Sequence, residues 1–400
     1  MTAPAPAVRA ELAPQHAEII TATLPLVGAH IDQITTRFYS GMFAAHPELL
    51  RNLFNRGNQA QGAQQRALAA SIATYAAHLV NPELPHPAEL LSRIGHKHAS
   101  LGITADQYQL VHDHLFAAIV EVLGADTVTA EVAEAWDAVY WMMAGTLIDL
   151  ERGLYDEAGV TAGDVYRRAR ITARVDEPSG AVLLTVRSTG APFADFRAGQ
   201  YVSVGVTLPD GARQLRQYSL INTPGEGDLT FAVRPMGEVS EWLRDHARVG
   251  DLLDVTVPFG DLPAPELHQR PLVLISAGIG ITPMIGILEH LAAYAPDTTV
   301  RVWHADRDAA GHPLREKQRA LVDGLPDAQL ELWYEDTRGA DGAHTGLLDI
   351  GAAELPADAQ VYLCGGTGFV QAVRAQLAER GVPAGRVHCE LFAPNDWLLS

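Results

Sequence analysis

The sequence predicts a multidomain protein: an all-α segment, an antiparallel β-barrel, and an α/β domain built on a parallel sheet. Three observations carry this. Helical periodicity runs from about residue 11 to residue 157 with few strand-like runs. Short β-rich runs separated by turn residues follow. Past a second proline-rich break, strands alternate with helices, the pattern of a parallel sheet with crossover connections. The expected domains are residues 1–157, 158–265 and 266–400.

Composition limits the function classes. A hydrophobic fraction of 48% and a charged fraction of 19% are ordinary for a globular chain of 400 residues. A formal charge of −19 argues against nucleic acid and anionic membrane surfaces as partners, so any phosphate must be held by local donors and a few arginines. Two cysteines, Cys364 and Cys389, make no disulfide framework and fit a reducing compartment. No basic segment followed by an apolar one opens the chain, so a cytoplasmic location is expected. The longest apolar run, Leu272 to Leu288, is broken by glycines and by Thr282-Pro283. It reads as strand, turn and helix, and no membrane span is expected.

The division of the chain follows the same logic. Gly159 and Gly163 among small residues mark a linker over Ala158 to Asp164. The barrel strands are expected at Val165–Val175, Ala181–Arg187, Gln200–Leu208, Leu215–Asn222, Leu229–Arg234 and Leu252–Val257. Leu262-Pro263-Ala264-Pro265 is the second break. The parallel strands are expected at Pro271–Ser276, Thr299–Ala305, Gln329–Tyr334 and Gln360–Cys364.

Within the helical segment two histidines compete as candidates. His96 and His98 stand two residues apart, so on a helix they point about 200° away from each other. His98 aligns with Leu91, Ile94 and Leu101 and is expected to face the core; His96 aligns with Ser92, Arg93 and Ser100 and is expected to face water. A buried imidazole needs a partner, either a hydrogen bond or a metal. Glu151 sits on the apolar stripe of Tyr140, Met143, Leu147 and Leu154. Tyr108 opens the stripe Val111, Leu115, Ile119, and Gln64 shares one with Leu68, Ile72 and Tyr75. Each alone reads as a rim residue. All inward together would make an unusually polar core, which a cofactor explains better. The remaining histidines show no ligand spacing. His112 and His114, flanking Asp113, are expected to face solvent.

Three strings punctuate the second half. Arg216-Gln217-Tyr218-Ser219 lies in a strand-like run, with Arg216 and Tyr218 on one face and Ser219 on the other. Gly278-Ile279-Gly280 follows a buried-strand run and opens a helix, with Thr282-Pro283 where a Rossmann pattern would place its last glycine. Cys364-Gly365-Gly366 ends a later strand. Each is a weak signal alone. A cross-strand Tyr218 and a small buried Cys364 are the plain alternatives.

In that order and context the strings resemble the ferredoxin-NADP reductase family, which binds FAD on a barrel and nicotinamide on a neighbouring α/β domain. The first domain resembles bacterial flavohaemoglobins through Arg37-Phe38-Tyr39-Ser40-Gly41-Met42-Phe43, His46-Pro47-Glu48-Leu49, Leu53-Phe54-Asn55, Lys97-His98 and Ala135-Trp136-Asp137-Ala138-Val139-Tyr140. The likeness covers nearly the whole chain. It implies haem b with His98 as the proximal iron ligand, Glu151 and Tyr108 holding that imidazole, Phe54 packing on the haem, and Tyr39, Gln64 and Leu68 lining the distal pocket. For FAD it implies Tyr201 and Arg216, Gln217, Tyr218 and Ser219, together with Gly237, Val239 and Ser240 at a helix start suited to a pyrophosphate. For NAD(P)H it implies Gly278, Gly280, Thr282 and Pro283, with Cys364 and Gly365 lining the same cleft; Phe392 is the aromatic expected beside the flavin. Ala393 replaces a common glycine, and Gly366 stands where some relatives have proline.

The activity this resemblance implies is nitric oxide dioxygenation. Electrons pass from NAD(P)H through FAD to haem, and O₂ oxidises NO to nitrate in a chain expected to be monomeric. A haem gas sensor with a resetting reductase, or a general flavin or quinone reductase, are the alternatives. Asp306 and Asp308 flank Arg307 and oppose a 2′-phosphate, which favours NADH over NADPH.

Overall fold

A computed structural model describes residues 12–60, 62–81, 83–84, 91–225, 227–262, 270–338 and 342–392. The chain divides into two compact units that part between Asp164 and Val165. The first holds α1 (Pro14–Ala45), α2 (Pro47–Asn52), α3 (Arg56–Ala60), α4 (Ala63–Val80), α5 (Ser92–Leu101), α6 (Gln107–Leu123) and α7 (Ala130–Glu157). Their inward stripes meet in a core that includes Ile20, Ile34, Met42, Tyr75, Leu91 and Ala135. Thr129 caps α7, its hydroxyl accepting from the Val132 amide.

The packing of α5 on α7 corrects one sequence expectation. Gly95 lets the helices approach so closely that a Cβ there would lie 2.4 Å from Leu150 Cδ2. The face of Gly95, His96, Ala99 and Ser100 is therefore the buried one, and His96 does not face water. Periodicity misassigned it because the contact is made by small and polar residues, which carry no apolar signature. His98 lies toward the edge of that contact and keeps 33% of its side chain exposed. His112 is corrected as well: its side chain is 16% exposed and stacks on Phe116 at 4.3 Å.

In the second unit β1 (Tyr166–Asp176), β2 (Val182–Ser188), β3 (Tyr201–Thr207), β4 (Arg213–Ser219), β5 (Asp228–Val233) and β6 (Leu252–Thr256) form an antiparallel sheet of order β4-β3-β6-β1-β2-β5. A Leu220–Phe231 bridge and the Ile221 N–H to Thr230 C=O bond (2.9 Å) bring its two edges together as a barrel. Alternate residues such as Val202, Val204, Leu184, Val186 and Val255 fill it. The helix α8 (Glu238–His246) follows β5.

The parallel sheet comprises β7 (Leu272–Ala277), β8 (Val300–Asp308), β9 (Ala328–Asp336), β10 (His344–Thr345), β11 (Gln360–Gly365) and β12 (Val387–Leu391), in the order β10-β9-β8-β7-β11-β12. It is accompanied by α9 (Ile281–Tyr294), α10 (Arg315–Asp323) and α11 (Thr367–Glu379). From β7 the chain winds outward to β10, then returns to lay β11 on the other side of β7. The β7/β11 junction is thus the switch point, where the carboxyl ends of parallel strands leave a crevice. The run that could have read as a span is β7, a turn and α9. Among the described residues no helix is long and apolar enough to cross a membrane.

Two histidines lie buried at the end of this sheet. His304 Nδ1 bonds Ser276 Oγ (2.8 Å), His312 Nδ1 bonds the Tyr334 hydroxyl (2.7 Å), and their rings stack at 3.8 Å. Desolvation is the main cause that holds both below the usual imidazole range. The unfolded chain therefore binds protons there more readily than the folded one. Stability is fully present above the unfolded value of about 6.5 and declines as pH falls below it, by about 1.4 kcal/mol per pH unit for each ring. Urea unfolding followed by the emission of buried Trp303 and Trp333 should show a lower midpoint at pH 5.5 than at pH 7.5. An unchanged midpoint would mean that the pair carries its proton in the fold.

Candidate functional site

Three helices of the first unit converge on His98. Burial chiefly, and the Glu151 charge next, push the Tyr108 phenol far up, so it keeps its proton and donates to Glu151 Oε1 at 2.5 Å. A carboxylate only accepts, so His98 carries its proton on Nδ1 and donates to the same Oε1 at 2.9 Å, with the Tyr108 oxygen 3.0 Å away. Glu151 is 2% exposed. Such a carboxylate is costly unless bonded, and here both available donors bond it. Tyr140 braces the group by donating to the Tyr108 carbonyl (2.6 Å). The other imidazole nitrogen, Nε2, has no partner among the described residues. The structure thus joins His98, Tyr108 and Glu151 from α5, α6 and α7.

The other expected pocket residues lie on α1, α4 and the segment between α2 and α3. Tyr39 is 6% exposed, and its hydroxyl has no hydrogen-bond partner among the described residues; burial alone pushes its phenol up. Its ring meets Phe54 edge-on at 5.9 Å and stacks on Phe43 at 5.6 Å. Gln64 accepts from Gln59 Nε2 (2.9 Å), which leaves the Gln64 amide N–H₂ as a donor. Phe54 and Leu68 are half-buried against the helical core. An imidazole with one nitrogen fixed and one open, a buried hydroxyl without an acceptor, and half-buried aromatic and aliphatic walls fit an iron porphyrin.

On the barrel, the Tyr218 ring stacks on Phe231 at 5.3 Å while its hydroxyl is buried without a partner. That orphaned donor fits a group bound along β4. Arg216 Nη2 meets Glu238 Oε1 at 3.2 Å, and its Nη1 donates to the Leu215 carbonyl. Gln217 donates to Ser203 Oγ (3.0 Å), and Ser219 is buried. Tyr201 pairs with Phe259. Ser240 Oγ accepts from the Met236 and Gly237 amides at 2.9 and 3.1 Å, which ties the turn before α8. Val239 is fully buried in the barrel core, so only its backbone can meet a ligand.

At the switch point the glycines have distinct reasons. Gly278 has φ +52°, in the left-handed region. Gly280 packs so tightly that a Cβ would lie 2.5 Å from the Cys364 carbonyl oxygen. Thr282 is 3% exposed and donates to the Ile279 carbonyl (3.0 Å), and Pro283 is buried. These two shape the turn from within and present no side chain to a cleft. Cys364 is fully buried as well, so its side chain does not line one. Gly365 is buried beside it, and Phe392 is half exposed. Ala393 and Pro394 lie outside the described residues.

One residue was missed. Arg234, just past β5, brings its Nη1 to 3.0 Å from where a Gly278 Cβ would be. It is half-buried and has no hydrogen bond or ion pair among the described residues, although the chain carries a charge of −19. A guanidinium without a carboxylate, beside a glycine turn at the strand ends, suits a phosphate. The available signal was the lone arginine ending a strand.

Residues 36–147 match the globin family, and residues 274–375 match the oxidoreductase NAD-binding domain family. The chain is 40% identical to a flavohemoprotein of Bordetella parapertussis over 95% of its own length and 98% of that protein's. It is similar to the crystal structure of flavohemoglobin from Malassezia yamatoensis with bound FAD and heme, with a TM-score of 0.89 and 35% identity, over 96% of this chain and all of that one. Its second part is similar to the FAD/NAD binding domain of nitric oxide dioxygenase from Vibrio cholerae, with a TM-score of 0.54 and 31% identity, over 56% of this chain and 98% of that one.

Proposed function

The chain belongs to the flavohaemoprotein family, and from that premise we propose that it is an NADH-dependent nitric oxide dioxygenase, converting nitric oxide and O₂ to nitrate. It is an oxidoreductase in which electrons pass from a nicotinamide through FAD to haem. Haem, when bound, supplies an iron that holds O₂ and takes single electrons, and FAD converts a two-electron hydride into such single steps. The remaining chemistry belongs to the chain's own residues.

His98 offers Nε2 to the iron. Glu151 and Tyr108 hold its Nδ1 proton, fix the tautomer and make the imidazole a stronger donor. Tyr39 and Gln64 would supply O–H and N–H donors to a bound gas. In the reductase unit, Arg216 and the turn before α8 would hold FAD phosphates, and the unpartnered Tyr218 hydroxyl would meet the bound group. The glycine turn with Arg234 would hold the nicotinamide dinucleotide. Asp306, whose Oδ1 accepts from the Arg307 amide (2.8 Å), and Asp308 flank Arg307, and their negative charge would oppose a 2′-phosphate bound beside it. This favours NADH.

The observation that carries the reading is the triad of His98, Glu151 and Tyr108, together with a Tyr39 hydroxyl in the same helical unit that has no partner among the described residues. A quinone reductase needs neither feature. Protein reduced by NADH under O₂, then mixed with one equivalent of nitric oxide, should give one equivalent of nitrate within the mixing time. Slow or substoichiometric nitrate beside fast quinone reduction would assign the chain to the reductases instead.

Arg234 gives a separate check. Arg234→Ala removes a charge-assisted hydrogen bond of about 1.5–3 kcal/mol, so the KM for NADH in dye reduction should rise about tenfold or more while kcat changes little. An unchanged KM would exclude Arg234 from the dinucleotide site.

A further inference from the structure

α6 and α7 are tied a second time, one helical turn from the triad. His112 Nε2 lies 2.7 Å from Asp137 Oδ1, and His112 Nδ1 lies 3.1 Å from Asp113 Oδ1. The ring is held flat between neighbours, stacked on Phe116 at 4.3 Å and on Trp141 at 5.5 Å, with Tyr140 edge-on at 5.0 Å. It is 16% exposed, whereas Asp113 and Asp137 are 64% and 46% exposed. Both ring nitrogens thus lie within hydrogen-bond reach of a carboxylate.

The spacing links this group to the triad. Asp137, Tyr140, Ala144, Leu147 and Glu151 follow one another at three and four residues, so they share one face of α7. Tyr108 and His112 are four apart and share a face of α6. Tyr140 stands between: its ring touches His112 and its hydroxyl donates to the Tyr108 carbonyl at 2.6 Å. Tyr108 in turn reaches Glu151 at 2.5 Å, a short bond that a shift of one helix along the other would lengthen and weaken.

We infer that His112 and Asp137 are positioning residues: they lock α6 against α7 and, through Tyr140, hold the Tyr108 hydroxyl on Glu151, which sets how strongly His98 binds iron. The inference rests on the reading of His98 as the iron ligand and adds what fixes its partners. Neither His112 nor Asp137 touches a reacting atom.

The test is the iron–imidazole stretching line in the resonance Raman spectrum of the ferrous protein, with Tyr108→Phe as the benchmark. His112→Ala should shift that line in the same direction as Tyr108→Phe and by at least half as much. The double variant should show no shift beyond that of Tyr108→Phe alone, because both changes act on one contact. Asp137→Ala removes the acceptor from a half-exposed side chain, so it reports the same loss even if His112→Ala fails to fold; it should shift the line the same way. A line left at the wild-type position in Asp137→Ala, or shifts that add in the double variant, would overturn the inference while leaving His98 as ligand. A wild-type ferrous protein with no iron–imidazole line would instead remove the reading beneath it, and the inference with it.

Discussion

A His98→Ala chain should lose nitrate formation by more than about a hundredfold, since removing even a ligand's hydrogen-bond partner costs 10–100-fold, and should still reduce a soluble dye from NADH. The imidazole and the nicotinamide turn belong to separate units, so the reductase half should be spared. No neighbour can replace the ligand. His96, two residues away on α5, points to another side of the helix and is buried there. The Soret band should fall relative to flavin absorbance, and imidazole added to His98→Gly should bring part of it back. A His98→Ala protein with its full Soret band and normal nitrate yield would end the assignment of the iron to this residue.

How far the sequence was legible depended on where each signal came from. The six barrel strands and four of the six parallel strands appeared within about three residues of their places, because alternation and buried apolar runs are local properties; the two-residue strand His344–Thr345 was not expected. The strand Val387–Leu391 was not among the expected strands. Its run Val-His-Cys-Glu-Leu has no clean alternation, and only its register with β11 reveals it. Tyr108 and Glu151 stood out as polar residues on apolar stripes, and the structure places them in contact.

The misplacements share a cause. His96 and Ser100 are buried by a helix contact made of small residues, which a hydrophobic pattern cannot register. His112 sits among Phe116, Tyr140 and Trp141, two of which come from another helix. Arg234 gains its meaning from Gly278, which is brought beside it only by the fold. In the functional strings, too, packing was not legible from the residues alone. Thr282 and Cys364 belong to them as packing, Thr282 bonding the turn carbonyl and Cys364 presenting its carbonyl to Gly280. A motif fixes the backbone of a turn more surely than it identifies which side chains look out from it.

Glu151→Gln separates positioning from electronic effect. The glutamine keeps the size of the side chain and an oxygen that can accept from both Tyr108 and His98 Nδ1, so the imidazole stays oriented and Nε2 stays available. What disappears is the negative charge, and with it the strengthening of His98 as a donor. Loss of such an outer partner costs about 10–100-fold in activity or affinity. Nitrate formation per haem should fall by an amount in that range, while the ratio of Soret to flavin absorbance remains that of the unaltered protein. Glutamine also brings an N–H₂ group into a site that is 2% exposed, and a buried donor without an acceptor costs about 1–3 kcal/mol, so a modest loss of stability should accompany the change. The two effects part cleanly by experiment, since rate per haem does not depend on how much protein stays folded. Normal turnover per haem would show that the carboxylate acts as a spacer and its charge is irrelevant to the iron. A Soret band that falls in step with turnover would make Glu151 a residue that retains haem and leaves its reactivity alone.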